Sequence, residues 1–287
     1  MTDLTKHSLY KPMEVDSMLL ATFTIYFKKF LTMFIYSFVA VFIIQMIFYY
    51  LGFMDLYTVS DPEELYRNMP EIFKKMGIIS VSSVIVYGFL NAFLVNYIIK
   101  SDLNPDTVVG EIFAESVKKF SVHMIFFLIL SIIILFAGVF IGIFAIIIGS
   151  IVAMAYLGTV LMSGGAILVA EETNAIETVS RAFTLTHKDF WSALGTVVLF
   201  VLIMFLVSLI ITALIAIPFV IMFFGNLNET GSLLEAFDLK MYDIGIWSVV
   251  LNSIVAALTY PLYATLSVVL YFKLKYTEDQ KAVISQQ

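Results

Sequence analysis

The chain has 287 residues, of which 61% are hydrophobic and only 13% charged, and its formal net charge is −6. A soluble domain is nearer 45–50% apolar and about 25% charged, so an ordinary water-facing exterior is excluded and most of the chain must face lipid or other buried helices. With no cysteine, disulfides, thiolate nucleophiles and cysteine-based metal sites are excluded as well.

Residues 1–12 are polar and read as a loosely ordered segment, with Pro12 just ahead of a helical pattern. From Met13 to Phe30, the side chains of Leu19, Phe23, Phe27 and Phe30 fall on one helical face, with Asp16, Thr24 and Lys28 opposite. That pattern predicts an amphipathic helix lying in the membrane interface. The first span runs from about Leu31 to Phe53. No signal-peptide pattern precedes it, so it is expected to act as an uncleaved insertion signal. Residues 54–76 are polar, with Ser60 or Asp61 as cap of a short helix that opens on Pro62. The second span follows from about Gly77 to Ile99. The next interfacial helix ends at Phe120, with Glu115 and Lys119 spaced for an i,i+4 pair.

Residues 121–170 carry almost no polar punctuation. One helix over that stretch would be about 75 Å long, against a hydrocarbon core of about 30 Å. Two spans with a turn near Gly138 to Gly142 are therefore expected. These glycines, with Gly158, Ser163, Gly164 and Gly165, read as close helix contacts in the hairpin. Glu171 and Glu172 close the fourth span, and Asn174 with Glu177 has capping-box spacing. The fifth span begins at Trp191, and Pro218 is expected to kink or end it. A polar loop occupies 225–244, and the sixth span runs from about Ile246 to Phe272, closed by Lys273 and Lys275, with 274–287 as a tail.

The fold class is therefore all-α: a polytopic membrane protein of six transmembrane helices over residues 13–273. Six crossings leave both termini on one side. That side holds twelve Lys and Arg residues against four on the other, so it is expected to be the cytoplasm.

A short pattern recurs three times, each copy directly ahead of a span. Phe23, Lys28 and Phe30 align with Phe113, Lys118 and Phe120, and with Phe183, Lys188 and Phe190. Read as internal repetition, the chain becomes three units at about 13–100, 103–170 and 173–273, each an interfacial helix plus a helical hairpin. The alternative is convergence, since interfacial helices favour Lys near head groups and Phe at the boundary.

The third copy, from Ala166 to Phe200, resembles a segment of several bacterial families of six-span membrane proteins, including the glycerophosphoryl diester phosphodiesterase membrane-domain family. There a span ends in an acidic residue, here Glu171 or Glu172. A Glu-x-x-x-Arg/Ser-Ala-Phe helix follows, here Glu177 to Phe183, and an aromatic pair, here Phe190 and Trp191, opens the next span. The opening from Tyr10 to Phe30 and the ending from Pro261, with Tyr271, Phe272 and Lys273 at motif positions, are similar to that family too. The resemblance implies the six-span fold and a bacterial inner membrane more than any activity. Where the family accompanies a phosphodiesterase, the chemistry belongs to a separate soluble barrel.

No catalytic motif is present, and His7, His123 and His187 have no metal-ligand partner at i+3 or i+4. No enzyme activity and no cofactor is expected. A cytoplasmic cluster of Glu171, Glu172, Glu177 and Arg181 is a candidate site, with Glu177 and Arg181 read as a helical i,i+4 pair. Inside the spans the amides of Gln45, Asn91, Asn96 and Asn252 act as interhelical glue or line a cavity for an amphiphile. All four are expected to face the bundle, because an unpaired amide in hydrocarbon costs several kcal/mol, roughly. The expected function is a non-enzymatic inner-membrane scaffold that binds lipid, a protein partner or a second copy of itself through its cytoplasmic interfacial helices. A carrier or permease for a lipid-like molecule is the alternative. Nothing points to nucleic acid.

Overall fold

The computed structural model describes residues 3–52, 62–144, 146–230 and 245–284, and all regular structure among them is helical. The helices are α1 (Val15–Lys28), α2 (Phe30–Tyr50), α3 (Pro62–Leu103), α4 (Val109–Glu115), α5 (Ser121–Ile143), α6 (Ile146–Met162), α7 (Gly164–Ala170), α8 (Ala175–Thr186), α9 (Phe190–Thr230) and α10 (Gly245–Ile284). Among the described residues six stretches are long and apolar enough to cross a membrane: Phe30–Tyr50, Tyr66–Leu103, Val109–Ile143, Ile148–Ala170, Phe190–Leu214 and Val249–Ile284. The fold is that of a multi-pass helical membrane protein. The N-terminal segment and the last helix meet, the Tyr10 hydroxyl donating to Asp279 at 2.7 Å.

Several boundaries differ from the sequence expectation, each for a local reason. The short helix opening on Pro62 and the second span are one helix, which runs through Pro70. A proline removes one backbone donor, and here the helix continues past it, with Glu71 and Lys75 paired at 3.3 Å. The expected cap at Ser60 or Asp61 lies outside the described residues. In α9 the helix continues past residue 218 to Thr230, so Pro218 does not end it. That helix also takes in the first residues of the expected polar loop, whose remainder at 231–244 lies outside the described residues. Residues 274–284, read as tail, continue α10.

The turn of the second hairpin falls between Ile143 and Ile146, just beyond the expected glycines. Those glycines serve packing instead. A Cβ on Gly142 would sit 2.7 Å from backbone atoms of Gly149 and Ser150, and one on Gly138 would overlap Leu157 Cδ1. Gly164 lies equally close under the Phe127 ring, whereas Gly158 has nothing within 4 Å. The fourth span breaks at Ser163, between α6 and α7, and the Ala166 N–H there donates to Ser267 Oγ on α10 at 3.2 Å.

The chain folds as two compact units. The first holds Met1–Met33, Val84–Val201 and Tyr260–Gln287; the second holds Phe34–Ser83 and Leu202–Thr259. In the second, Phe34, Phe38 and Phe42 stack along α2 at 6.0 and 5.8 Å, the side-by-side placement that i,i+4 spacing produces. The first unit carries both termini and the polar features described next.

Candidate functional site

The capping box forms as its spacing predicts: Asn174 Oδ1 accepts from the N–H groups of Ile176 and Glu177 at 3.1 and 3.0 Å. Glu177 returns the bond, accepting from Asn174 N–H at 3.4 Å. This use of Glu177 overturns the expected Glu177–Arg181 pair. The Glu177 carboxylate is held at the positive end of α8, where it satisfies a free backbone donor. Arg181 instead forks between two carboxylates from other parts of the chain. Its Nε and Nη2 donate to Glu171 at 2.8 and 3.1 Å, and Nη1 and Nη2 donate to Glu278 at 2.7 and 2.5 Å. The Glu278 bonds foremost, with help from Glu171, raise the guanidinium pKa against the opposing effect of burial. The clamp joins α7, α8 and α10, and the Tyr271 hydroxyl closes it by donating to Glu171 at 3.3 Å.

Glu172 lies at the α7–α8 junction with φ of 54°, a left-handed conformation that costs a non-glycine residue roughly 1–3 kcal/mol. Adjacent carboxylates then serve different partners: Glu171 binds Arg181, while Glu172 pairs with Lys119. The expected Glu115–Lys119 pair is also absent, for a clear reason. Ser116–Phe120 form a π-helical turn, which inserts one residue per turn and moves Lys119 out of register with Glu115. Glu115 pairs with Lys100 from α3. Asn96, fully buried, donates to Ser116 Oγ at 3.0 Å and Glu115 at 3.4 Å. A cavity of about 810 Å³ is lined by Lys100, Lys119, Arg181 and Lys275 together with Asp3, Glu115, Glu171 and Glu172.

The N-terminal segment, expected to be loose, is packed. His7 is 3% exposed and stacks on Phe272 at 4.0 Å. Its Nδ1 accepts from Leu9 N–H at 3.2 Å, and Asp102 accepts from Ser8 N–H at 2.8 Å. Leu9 and Met13 are buried too, so apolar burial and these bonds offset the cost of ordering the segment. Burial pushes the His7 imidazole down to about 4, partly opposed by the Asp102 carboxylate. It likewise pushes the nearby Lys29 ammonium down to about 8.

A pH dependence follows with a definite sign. The released segment binds a proton at the ordinary histidine value of about 6.5, while the packed ring resists protonation until pH falls to about 4. The unfolded form therefore holds more protons between these values, and stability falls as pH drops through that window. The shift corresponds to about 3 kcal/mol. Amide exchange of residues 3–12, corrected for intrinsic rates, should accelerate between pH 6.5 and 4, and His7→Phe should remove that dependence. A flat native profile would contradict neutral burial of His7.

The repeat-aligned residues take related but unequal positions. Phe23 lies 6.5 Å from the Phe200 ring, Phe113 5.6 Å from Phe93, and Phe183 6.3 Å from Tyr156, so each meets an aromatic ring of another helix. Lys28 and Lys118 are exposed, Lys188 half-buried. Phe30 and Phe190 are half-buried at helix starts, whereas Phe120 is buried in the π-helical turn that runs on into α5. Lys29 and residues 187–189 break the helix within the first and third copies, just before their last Phe, and the second copy has no such break.

Of the four amides, Asn96 is buried within the ion-pair network and Asn91 is half-buried with Nδ2 against Gly165. The two asparagines thus go to separate elements. Gln45 is half-buried in the second unit. Asn252 is exposed, against expectation. Val249, Ser253 and Ala257 form the buried stripe of α10, and one residue before Ser253 is a rotation of about 100°, which turns the Asn252 amide outward.

Tyr271, Lys275 and Glu278 were not singled out together in the sequence, although their i, i+4, i+7 spacing on one helical face was a usable signal. His7 and Asp102 carried none, being far apart in the chain. Among the described residues no three His, Asp or Glu side chains gather closely enough to hold a metal ion.

The fold thus defines a class, the multi-pass helical membrane proteins. No family model matches the sequence, and no curated protein or solved structure matches it.

Proposed function

We propose that this protein is a non-enzymatic scaffold of a bacterial inner membrane that engages lipid through the interfacial helices at the end bearing its termini. The observation carrying this reading is the outer surface of that collar. Met18, Thr22 and Tyr26 pack α1 inward, while Leu20 and Phe27 remain 69% exposed on its far side; Ile176 on α8 and Trp191 at the start of α9 are 75% and 79% exposed. Large apolar groups beside exposed Lys28 suit the boundary between acyl chains and anionic head groups. The excess of Lys and Arg supports a cytoplasmic location for this face, and the three-unit repeat belongs to the same proposal.

Trp191 provides the test, because Trp247 is the other tryptophan in the chain and can be replaced by phenylalanine. In nanodiscs, Trp191 fluorescence of the Trp247→Phe protein should be quenched by lipids brominated near the head group, and less by lipids brominated deep in the acyl chain. Absence of quenching, with a stoichiometric protein retained on purification, would place a protein partner over the collar in place of lipid.

A further inference from the structure

The geometry points to the 810 Å³ cavity in the first unit as a binding site for a small zwitterion that joins a primary ammonium to a phosphate, the chemistry of phosphoethanolamine. This goes beyond the collar reading and does not depend on what covers the collar. The volume lies within the range of roughly 300–1,000 Å³ typical of small-molecule sites. Ile99, Phe120 and Val169 give the lining an apolar part, and its charged part holds equal numbers of cations and carboxylates.

That balance selects the ligand. Lys100 pairs with Glu115 and Lys119 with Glu172, each pair bridging two segments of the chain. An anion alone would draw a lysine away and leave its carboxylate without a partner at the cavity wall. A cation alone would strand the lysine in the same way. A zwitterion exchanges both partners at once, its ammonium taking the carboxylate and its phosphate taking the lysine, so no charge is left unpaired. The two lysine pairs can exchange because their side chains are 31–54% exposed. Arg181 cannot, since four hydrogen bonds to Glu171 and Glu278 hold it as part of the frame. A lysine ammonium suits a phosphate as a point charge. The ligand is either a lipid head group entering from the bilayer edge, whose phosphodiester carries one negative charge, or a free solute, whose phosphate monoester carries between about one and two; both join one ammonium to one phosphate.

The test uses the full chain in mild detergent. Calorimetric titration with phosphoethanolamine should show saturable binding, with ethanolamine and inorganic phosphate each at least tenfold weaker. Lys119→Gln and Glu172→Gln should each weaken phosphoethanolamine binding at least tenfold while remaining monodisperse and helical. Native mass spectrometry after exposure to phosphatidylethanolamine or phosphatidylglycerol distinguishes the source. Selective retention of phosphatidylethanolamine identifies a lipid head group, and solute binding without lipid retention identifies a free zwitterion. Phosphate binding as tightly as phosphoethanolamine would overturn the proposal in favour of a plain anion site. Failure of both the solute and the lipid to bind would overturn it outright, on unmodified protein and whatever the variants do. The quenching of Trp191 reads the collar separately, so either result can fail alone.

Discussion

Replacing Arg181 with methionine should destabilise the protein by about 3 kcal/mol, the lower part of the range for breaking a buried ion pair. The clamp is only partly screened from solvent, with Arg181 23%, Glu171 21% and Glu278 19% exposed, which argues against the upper part. Methionine preserves much of the packing but leaves two carboxylates facing each other, with Lys275 at 3.1 Å able to relieve Glu278 alone. Arg181→Lys should recover little, because one ammonium cannot fork between two carboxylates as a guanidinium does. Adding Glu171→Gln and Glu278→Gln to Arg181→Met should restore most of the loss, since the stranded charges are then gone. Thermal loss of monodispersity in detergent measures all four proteins. An Arg181→Met protein that melts with the parent would show that the clamp contributes nothing.

Gly142→Ala should lower stability by about 1–3 kcal/mol, the cost of overpacking a tight contact. The new methyl would lie 2.7 Å from backbone atoms of Gly149 and Ser150, and backbone at a hairpin turn cannot rotate aside as a side chain can. Gly158→Ala is the matched control, on the partner helix α6 with nothing within 4 Å. It should cost nothing, and the better helix propensity of alanine acts in its favour. Equal losses in the two variants would mean that glycine is needed for flexibility and not for close approach.

How much was legible depends on the range of the interaction. The capping box at Asn174 and Glu177 is a contact over three residues, so its spacing suffices to predict it. The hairpin in 121–170 was legible from length alone, because a bilayer cannot hold a single helix of that extent. The turn itself was misplaced because glycine supports both turns and close packing, and only the facing helix shows which applies. The amphipathic reading of α1 marked Leu19, Phe23, Phe27 and Phe30, whereas the side packed into the protein is Met18, Thr22 and Tyr26, adjacent to the one that hydropathy marks. In a membrane protein lipid and protein interior are both apolar, so hydropathy does not separate them.

The sequence by itself determined the class: six apolar runs of crossing length, an even count, and polar segments confined to the ends. These follow from the requirement that every backbone polar group in hydrocarbon be satisfied within its own helix, which is a property of each segment alone. Only the tertiary structure decided the site. Local spacing offered Arg181 the carboxylate of Glu177 four residues away, but the capping box had already engaged it. The guanidinium took Glu171, ten residues away, and Glu278, 97 residues away. Lys119 lost Glu115 to a single extra residue in a π-helical turn and found Glu172, 53 residues on. Ion pairs form by distance in space, and which helices meet is settled only once the bundle has packed.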